Sequence, residues 1–205
     1  MKLHTFRAPN PFRVHVFCVE KGIEIDPVVV DLPHGAGRSD AFLAKNSRGE
    51  VPVLELDDGS FLPESVAICR YLEALHPETP LFGTTPVEQG RIEMWNRRME
   101  ICILATIGQV ARHTFEFFAD KVEQIPAYAD SMRRLAAEEW AWLDRELADG
   151  RTYVCDDRFS VADITGMAAL LVHDFAKSEV PGDLANVKRW EAAVRARPSW
   201  AAAMA

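Results

Sequence analysis

EVPVLELDDGSFLPESVAI, residues 50–68, holds a strand, a tight turn, a returning strand and the start of a helix. Val51–Leu56 is an apolar run with β-branched residues. Asp57-Asp58-Gly59 supplies turn chemistry, and Ser60–Leu62 returns, so the pair reads as a β-hairpin. Ser65 is expected to cap the helix that follows, with Ile68, Tyr71, Leu72 and Leu75 on its apolar face.

Working back from this stretch, Lys2–Phe6 reads as a strand, Ala8–Pro11 as a turn and Phe12–Lys21 as a helix with Phe12, Val16 and Val19 in helical register. Asn10 before Pro11 has the form of an N-cap residue followed by proline at the first helical position. Gly22 ends that helix. Pro27–Val30 is suited to a buried strand, and the polar stretch 31–38 leads into a short helix at 40–44. The order is β-α-β-α-β-β-α, an α/β domain over 1–76.

Working forward, His76-Pro77-Glu78-Thr79-Pro80 begins a linker over 77–86, beyond which strand signals nearly vanish. A long helix is predicted over 87–118 with Ile92, Trp95, Met99, Cys102, Thr106 and Val110 on one face. A second is predicted over 128–147. A third follows Ser160-Val161-Ala162-Asp163, which has the form of a capping box, and a fourth lies near 184–196. The second domain, 87–205, is therefore all-α.

The totals narrow the function. Lys and Arg number 23 against 31 Asp and Glu, a formal charge of −8 with no basic block, which argues against nucleic acid as a partner. No run is long and apolar enough to cross a bilayer, so no membrane partner is expected, and MKLHTFRAPNPF has no secretory pattern. The four cysteines form no CxxC pair, so neither a disulfide framework nor a metal site is expected, and the compartment is read as a reducing one, the cytoplasm.

Four segments, Ala8–Val14, Glu50–Leu54, Pro63–Ile68 and Phe159–Ile164, taken together resemble successive signatures of the soluble glutathione transferases. They fall in that family's order and span nearly the whole chain. The resemblance implies a thioredoxin-like N-terminal domain that holds glutathione as co-substrate, a helical C-terminal domain, and a homodimer. The Ala-Pro-Asn-x-Phe-Arg form at 8–13 looks like the bacterial Nu-type transferases and the related yeast regulator of nitrogen catabolism, which carry asparagine in this turn.

Each site residue then has a plain reading and an implied one. An X-Pro bond is trans as a rule, whereas the resemblance implies a cis Val51-Pro52 whose Val51 main chain pairs with the cysteinyl part of glutathione. Ser65 serves either as a helix cap or, through its N–H and hydroxyl, as a seat for the γ-glutamyl carboxylate, with Glu64 beside it for the ammonium. Asn10 either caps its helix or donates its amide N–H to the glutathione thiolate. A hydrogen bond to a charged group contributes about 1.5–3 kcal/mol, roughly one to two pKa units. With a helix terminus beside it, that brings a thiol of pKa near 8.5 close to neutrality.

Where relatives often place Lys, Arg or Gln for the glycyl carboxylate, this chain has Glu50, which leaves Arg48, Lys45 or His34 as candidates. The electrophile is expected between the domains, with Met94, Trp95, Arg98, Met99, His113 and Phe117 as candidates for that wall, most of them read as core or dimer contacts because an aromatic stripe at helical spacing packs inward. The leading expectation is thiolate attack on a hydrophobic electrophile. Reduction of a small disulfide or organic hydroperoxide is the second, and a glutathione-binding module without turnover is the third.

Overall fold

The structure is a computed structural model that describes residues 1–176 and 180–204. The helical domain expected over 87–205 also takes in 177–179 and 205, which lie outside the described residues. The chain forms two compact units, Met1–Pro80 together with the described residues from Ala201 on, and Leu81–Trp200.

In the first unit β1 (Lys2–Thr5), β2 (Asp26–Val29), β3 (Val53–Glu55) and β4 (Phe61–Pro63) form one sheet in the order β2-β1-β3-β4. β2 runs parallel to β1, and β3 and β4 run antiparallel to their neighbours. With α1 (Pro9–Lys21), α2 (Asp40–Leu43) and α3 (Ser65–Leu75) the arrangement is thioredoxin-like. Side chains alternate along β1. His4 meets the Phe42 and Phe61 rings on one face, and Thr5 meets His15 of α1 on the other.

Two details differ from the sequence reading. Pro27–Val30 is not a buried strand: β2 is the edge of the sheet and Val29 is 76 % exposed. An edge tolerates Pro27, which has no N–H to give to a ladder. In α3 the buried face is Ile68, Cys69 and Leu72, while Leu75 in the last turn is half exposed.

The second unit is helical. α4 (Pro86–Arg98) opens on a capping box in which Thr85 and Glu88 satisfy each other's backbone N–H, the Thr-x-x-Glu signal at 85–88. It continues without a break through a π-helical segment (Met99–Leu104) into α5 (Ala105–Arg112). The helix expected over 87–118 therefore ends at Arg112, and Glu116–Phe118 is a separate 3₁₀ turn. A π turn adds a residue to the helical repeat, so the inner face rotates. The expected line at 102, 106 and 110 gives way to Ile103, Ile107 and Ala111, with Thr106 still inside.

α6 (Pro126–Glu146), α7 (Val161–Ala176), α8 (Ala185–Arg195) and α9 (Pro198–Ala202) follow. α7 is buried from Val161 to Val172 and is the centre of this unit. Its Gly166 lets the neighbours close in, since a Cβ there would overlap Met99 Cε and the Trp190 ring.

Candidate functional site

The strand register decides which candidate residues meet. β1 ends at Thr5, and the pairing of His4 with Val53 puts Thr5 opposite Pro52 when the ladder is continued by one residue. β3 begins at Val53, whose partner on β4 is Pro63, so Val51-Pro52 lies beside Glu64-Ser65. The end of β1 runs through Phe6–Ala8 into α1, and the end of β4 runs straight into α3. Asn10, Val51-Pro52 and Glu64-Ser65 thus collect at one end of one sheet.

The Val51-Pro52 peptide is cis. The Val51 side chain is buried with Val30, Phe42 and Val53, so this turn is anchored in the core below it. No protein group among the described residues hydrogen-bonds the Val51 N–H or C=O.

Neither helix start is capped as expected. α1 begins at Pro9, with extended Ala8 at the cap position and no side-chain cap. Asn10 is an exposed residue inside the first turn. The reason is Pro9: its fixed φ suits the first helical position, so the helix starts before Asn10 can cap it. Pro9 and Pro11 carry no N–H, which leaves the Asn10 backbone N–H and its side-chain amide as the donors between them.

Ser65 is likewise the first helical residue rather than the cap. Glu64 holds the cap position, at φ 73° and ψ 113°, and makes no side-chain cap bond. Positive φ at a non-glycine residue costs of the order of 1–3 kcal/mol and collects at functional sites. Ser65 itself is buried, 6 % exposed, under the exposed Glu64.

The three cationic candidates are each engaged with an acid. Arg48 Nε lies 3.3 Å from Glu50, and both side chains are exposed. His34 Nδ1 is 2.8 Å from Asp31, also at the surface. Lys45 is more enclosed: its Nζ is 3.7 Å from Glu55 and sits 4.4 Å from the centre of the Phe61 ring. The hydrogen bond from His4, at 2.8 Å, holds the Glu55 carboxyl below its usual range, with Lys2 and Lys45 adding to it.

Sequence reasoning missed the latch that shapes the approach to Val51. Asn46 Nδ2 donates to the Glu50 carbonyl at 2.7 Å, and its Oδ1 accepts from Arg48 N–H at 3.1 Å. Gly37 and Gly49 touch so closely that a Cβ on either would collide with the other's carbonyl oxygen. The signal was present as Asn46-Ser47-Arg48-Gly49, an Asx-type turn.

Burial raises all four of the chain's thiols. Cys18 is pushed up to about 12, and Cys69, Cys102 and Cys155 shift in the same direction, led in each case by desolvation. A thiol so shifted is not a thiolate at neutral pH. Among the described residues, no group of three or more His, Cys, Asp or Glu could hold a metal ion.

The residues expected to line an electrophile site divide in the second unit. Trp95 and Met99 are core, 7 % and 0 % exposed. Arg98 lies over the rings of Trp95 and Trp142. Met94 is 40 % exposed. His113 accepts from Ile125 N–H and meets Tyr128 edge-on, and Phe117 lies beside Phe118 under Lys121. Ser160 and Asp163 form the reverse half of a capping box: Asp163 accepts from Ser160 N–H at 3.0 Å, and also from Val154 N–H and Trp190 Nε1.

Residues 8–75 match the family model for the glutathione S-transferase N-terminal domain, and residues 100–198 that for its C-terminal domain. The chain is 35% identical over 195 residues to glutathione S-transferase 2 of Saccharomyces cerevisiae, covering 93% of this chain and 83% of that protein. Its fold superposes with a TM-score of 0.92 on a glutathione S-transferase domain-containing protein of Marinobacter aquaeolei, 36% identical over 98% of this chain and 100% of the other. The crystal structure of Gtt2 from Saccharomyces cerevisiae also gives 0.92, at 33% identity, covering 99% and 100%.

Proposed function

The chain belongs to the glutathione S-transferase family, and from that premise we propose that its first unit binds glutathione and activates the thiol for attack on a hydrophobic electrophile. The observation that carries this reading is the meeting of two helix starts and the Val51-Pro52 turn at one end of the sheet.

Glutathione is assigned as follows. The γ-glutamyl carboxylate sits on the Ser65 N–H and hydroxyl at the start of α3, where backbone donors and the helix dipole favour an anion. Its ammonium pairs with Glu64. The cysteinyl main chain pairs with the Val51 N–H and C=O as a short added strand. Of the three cations, Arg48 is assigned to the glycyl carboxylate. Its exposed pair with Glu50 is cheap to exchange, as is that of His34, whereas Lys45 is held among Glu55 and Phe61.

Asn10 donates to the sulfur and favours its ionised form; an amide is no base, so the thiol proton leaves to water. The thiolate then forms a carbon–sulfur bond, and the leaving group departs with the electron pair of the bond it gives up.

We also assign 1–76 as the glutathione-binding domain, 77–86 as the linker and 87–205 as the helical domain, in a cytoplasmic homodimer. Exposed Val87, Met94 and Ile101, seven residues apart along α4 and the π segment, support self-association. Turnover of an aromatic halide, a small disulfide and an organic hydroperoxide, each with glutathione, tests the reaction. Conjugation of the halide is expected. Calorimetric binding of glutathione with no turnover of any of them would contradict it and leave a binding module.

A further inference from the structure

Thr5 closes β1 at the point where the ladder reaches Pro52, and its side chain is 6 % exposed. Its carbonyl accepts from Val30 N–H at 2.8 Å, which ties this strand end to the chain leaving β2. Its Oγ1 shares a hydrogen bond of 2.9 Å with Nε2 of His15. His15 stands on α1 beyond the first turn, and burial lowers its pKa, which favours the neutral imidazole. One hydroxyl therefore connects the strand end beside the Val51-Pro52 turn to the helix that carries Asn10.

The proposed function requires two fixed points. The cysteinyl main chain is placed by Val51, and its sulfur must then fall within hydrogen-bond reach of Asn10. Between Thr5 and Pro9 the chain is a short connection, Phe6–Ala8, outside any helix or strand. The separation of the two points is set by how α1 seats on β1, and a polar bond at a part-buried junction fixes that seat in one direction as apolar packing does not.

We propose that the Thr5–His15 hydrogen bond is a positioning device that holds Asn10 at the reach required by a thiol seated on Val51. Neither residue touches the sulfur. This inference rests on the assignment of Asn10 to the thiolate, and the experiment separates the two.

The test follows thiolate absorbance of bound glutathione against pH, with kcat and KM measured in parallel, in Thr5→Val, His15→Ala, the double variant, Thr5→Ser and Asn10→Ala. Thr5→Val keeps the shape and removes the hydroxyl. It and His15→Ala are each expected to raise the thiol pKa by about half to one unit and to lower kcat at pH 7 about three- to ten-fold. The glutathione KM should change less than about two-fold, and the double variant should be no worse than the more severe single one. Thr5→Ser restores the hydroxyl and should restore both the pKa and kcat.

If Asn10→Ala raises the thiol pKa while Thr5→Val and His15→Ala leave it at the wild-type value, the positioning role is overturned and the Asn10 assignment stands. If Asn10→Ala leaves the pKa unmoved, both fall. A rise in KM alone in Thr5→Val, without a pKa change, also overturns the positioning role, because it reports general damage to the site.

Discussion

Asn10 lies between two prolines, and that sequence detail governs the chemistry assigned to it. Proline at the first and third helical positions strips N–H groups from the turn, so much of the donor capacity at this helix start falls to Asn10 itself. Asn10→Ala is expected to raise the pKa of bound glutathione by about one unit or more; an unmoved titration curve would remove Asn10 from the mechanism. Glu64 makes a prediction of two signs. Its positive φ favours glycine, so Glu64→Gly should stabilise the fold by roughly 1 kcal/mol in urea unfolding. The same change removes the ammonium partner and should weaken glutathione binding about ten-fold or more by calorimetry. Stability and affinity falling together would contradict this account. At this scale the sequence reading placed the two helix starts a position or two too late. Asn10 and Ser65 have cap chemistry, yet Pro9 starts one helix early and Glu64 takes the cap position of the other. The Thr5–His15 bond left no motif, because it joins a strand end to a helix face across a turn.

Elements in the second unit are tied by a buried carboxylate. Asp163, wholly buried, accepts from Val154 N–H, Ser160 N–H and hydroxyl, and Trp190 Nε1, joining the loop before α7 to α8. Desolvation outweighs those donors and pushes its pKa up to about 6. A carboxyl raised above its unfolded value keeps in the folded state a proton that the unfolded chain releases. Its stabilising share is present below about pH 4 and is lost as pH rises through about 6. Unfolding free energies of the wild type and Asp163→Asn, compared from about pH 5 to pH 8, should shift against the wild type by about 1–2 kcal/mol. A difference that stays level with pH would contradict the raised pKa. The capping pattern at 160–163 was legible because it is local. The π segment was not: a steady helical period predicted Cys102 and Val110 on the inner face, and the extra residue brought Ile103 and Ala111 there instead.

Across the whole molecule, the chain order of strands and helices was readable from turn and cap residues, while β2 was misjudged because hydrophobicity does not say which strand is an edge. The exit from the first unit rests on Lys21. Its side chain is fully buried, pairs with Glu73 at 2.6 Å, and donates to the carbonyls of Glu78 and Thr79. Lys21→Met keeps the stem and removes the charge, and should cost about 2–3 kcal/mol in urea unfolding; a loss below about 0.5 kcal/mol would show that the clamp is ornamental. The central claim concerns where an acidic tripeptide sits on the first unit, and a crystal structure of the protein with glutathione bound tests it most directly. The account predicts the γ-glutamyl group on Glu64 and Ser65, the cysteinyl main chain on Val51, and the sulfur within hydrogen-bond distance of Asn10. Glutathione bound elsewhere, with Val51 and the start of α3 untouched, would contradict it.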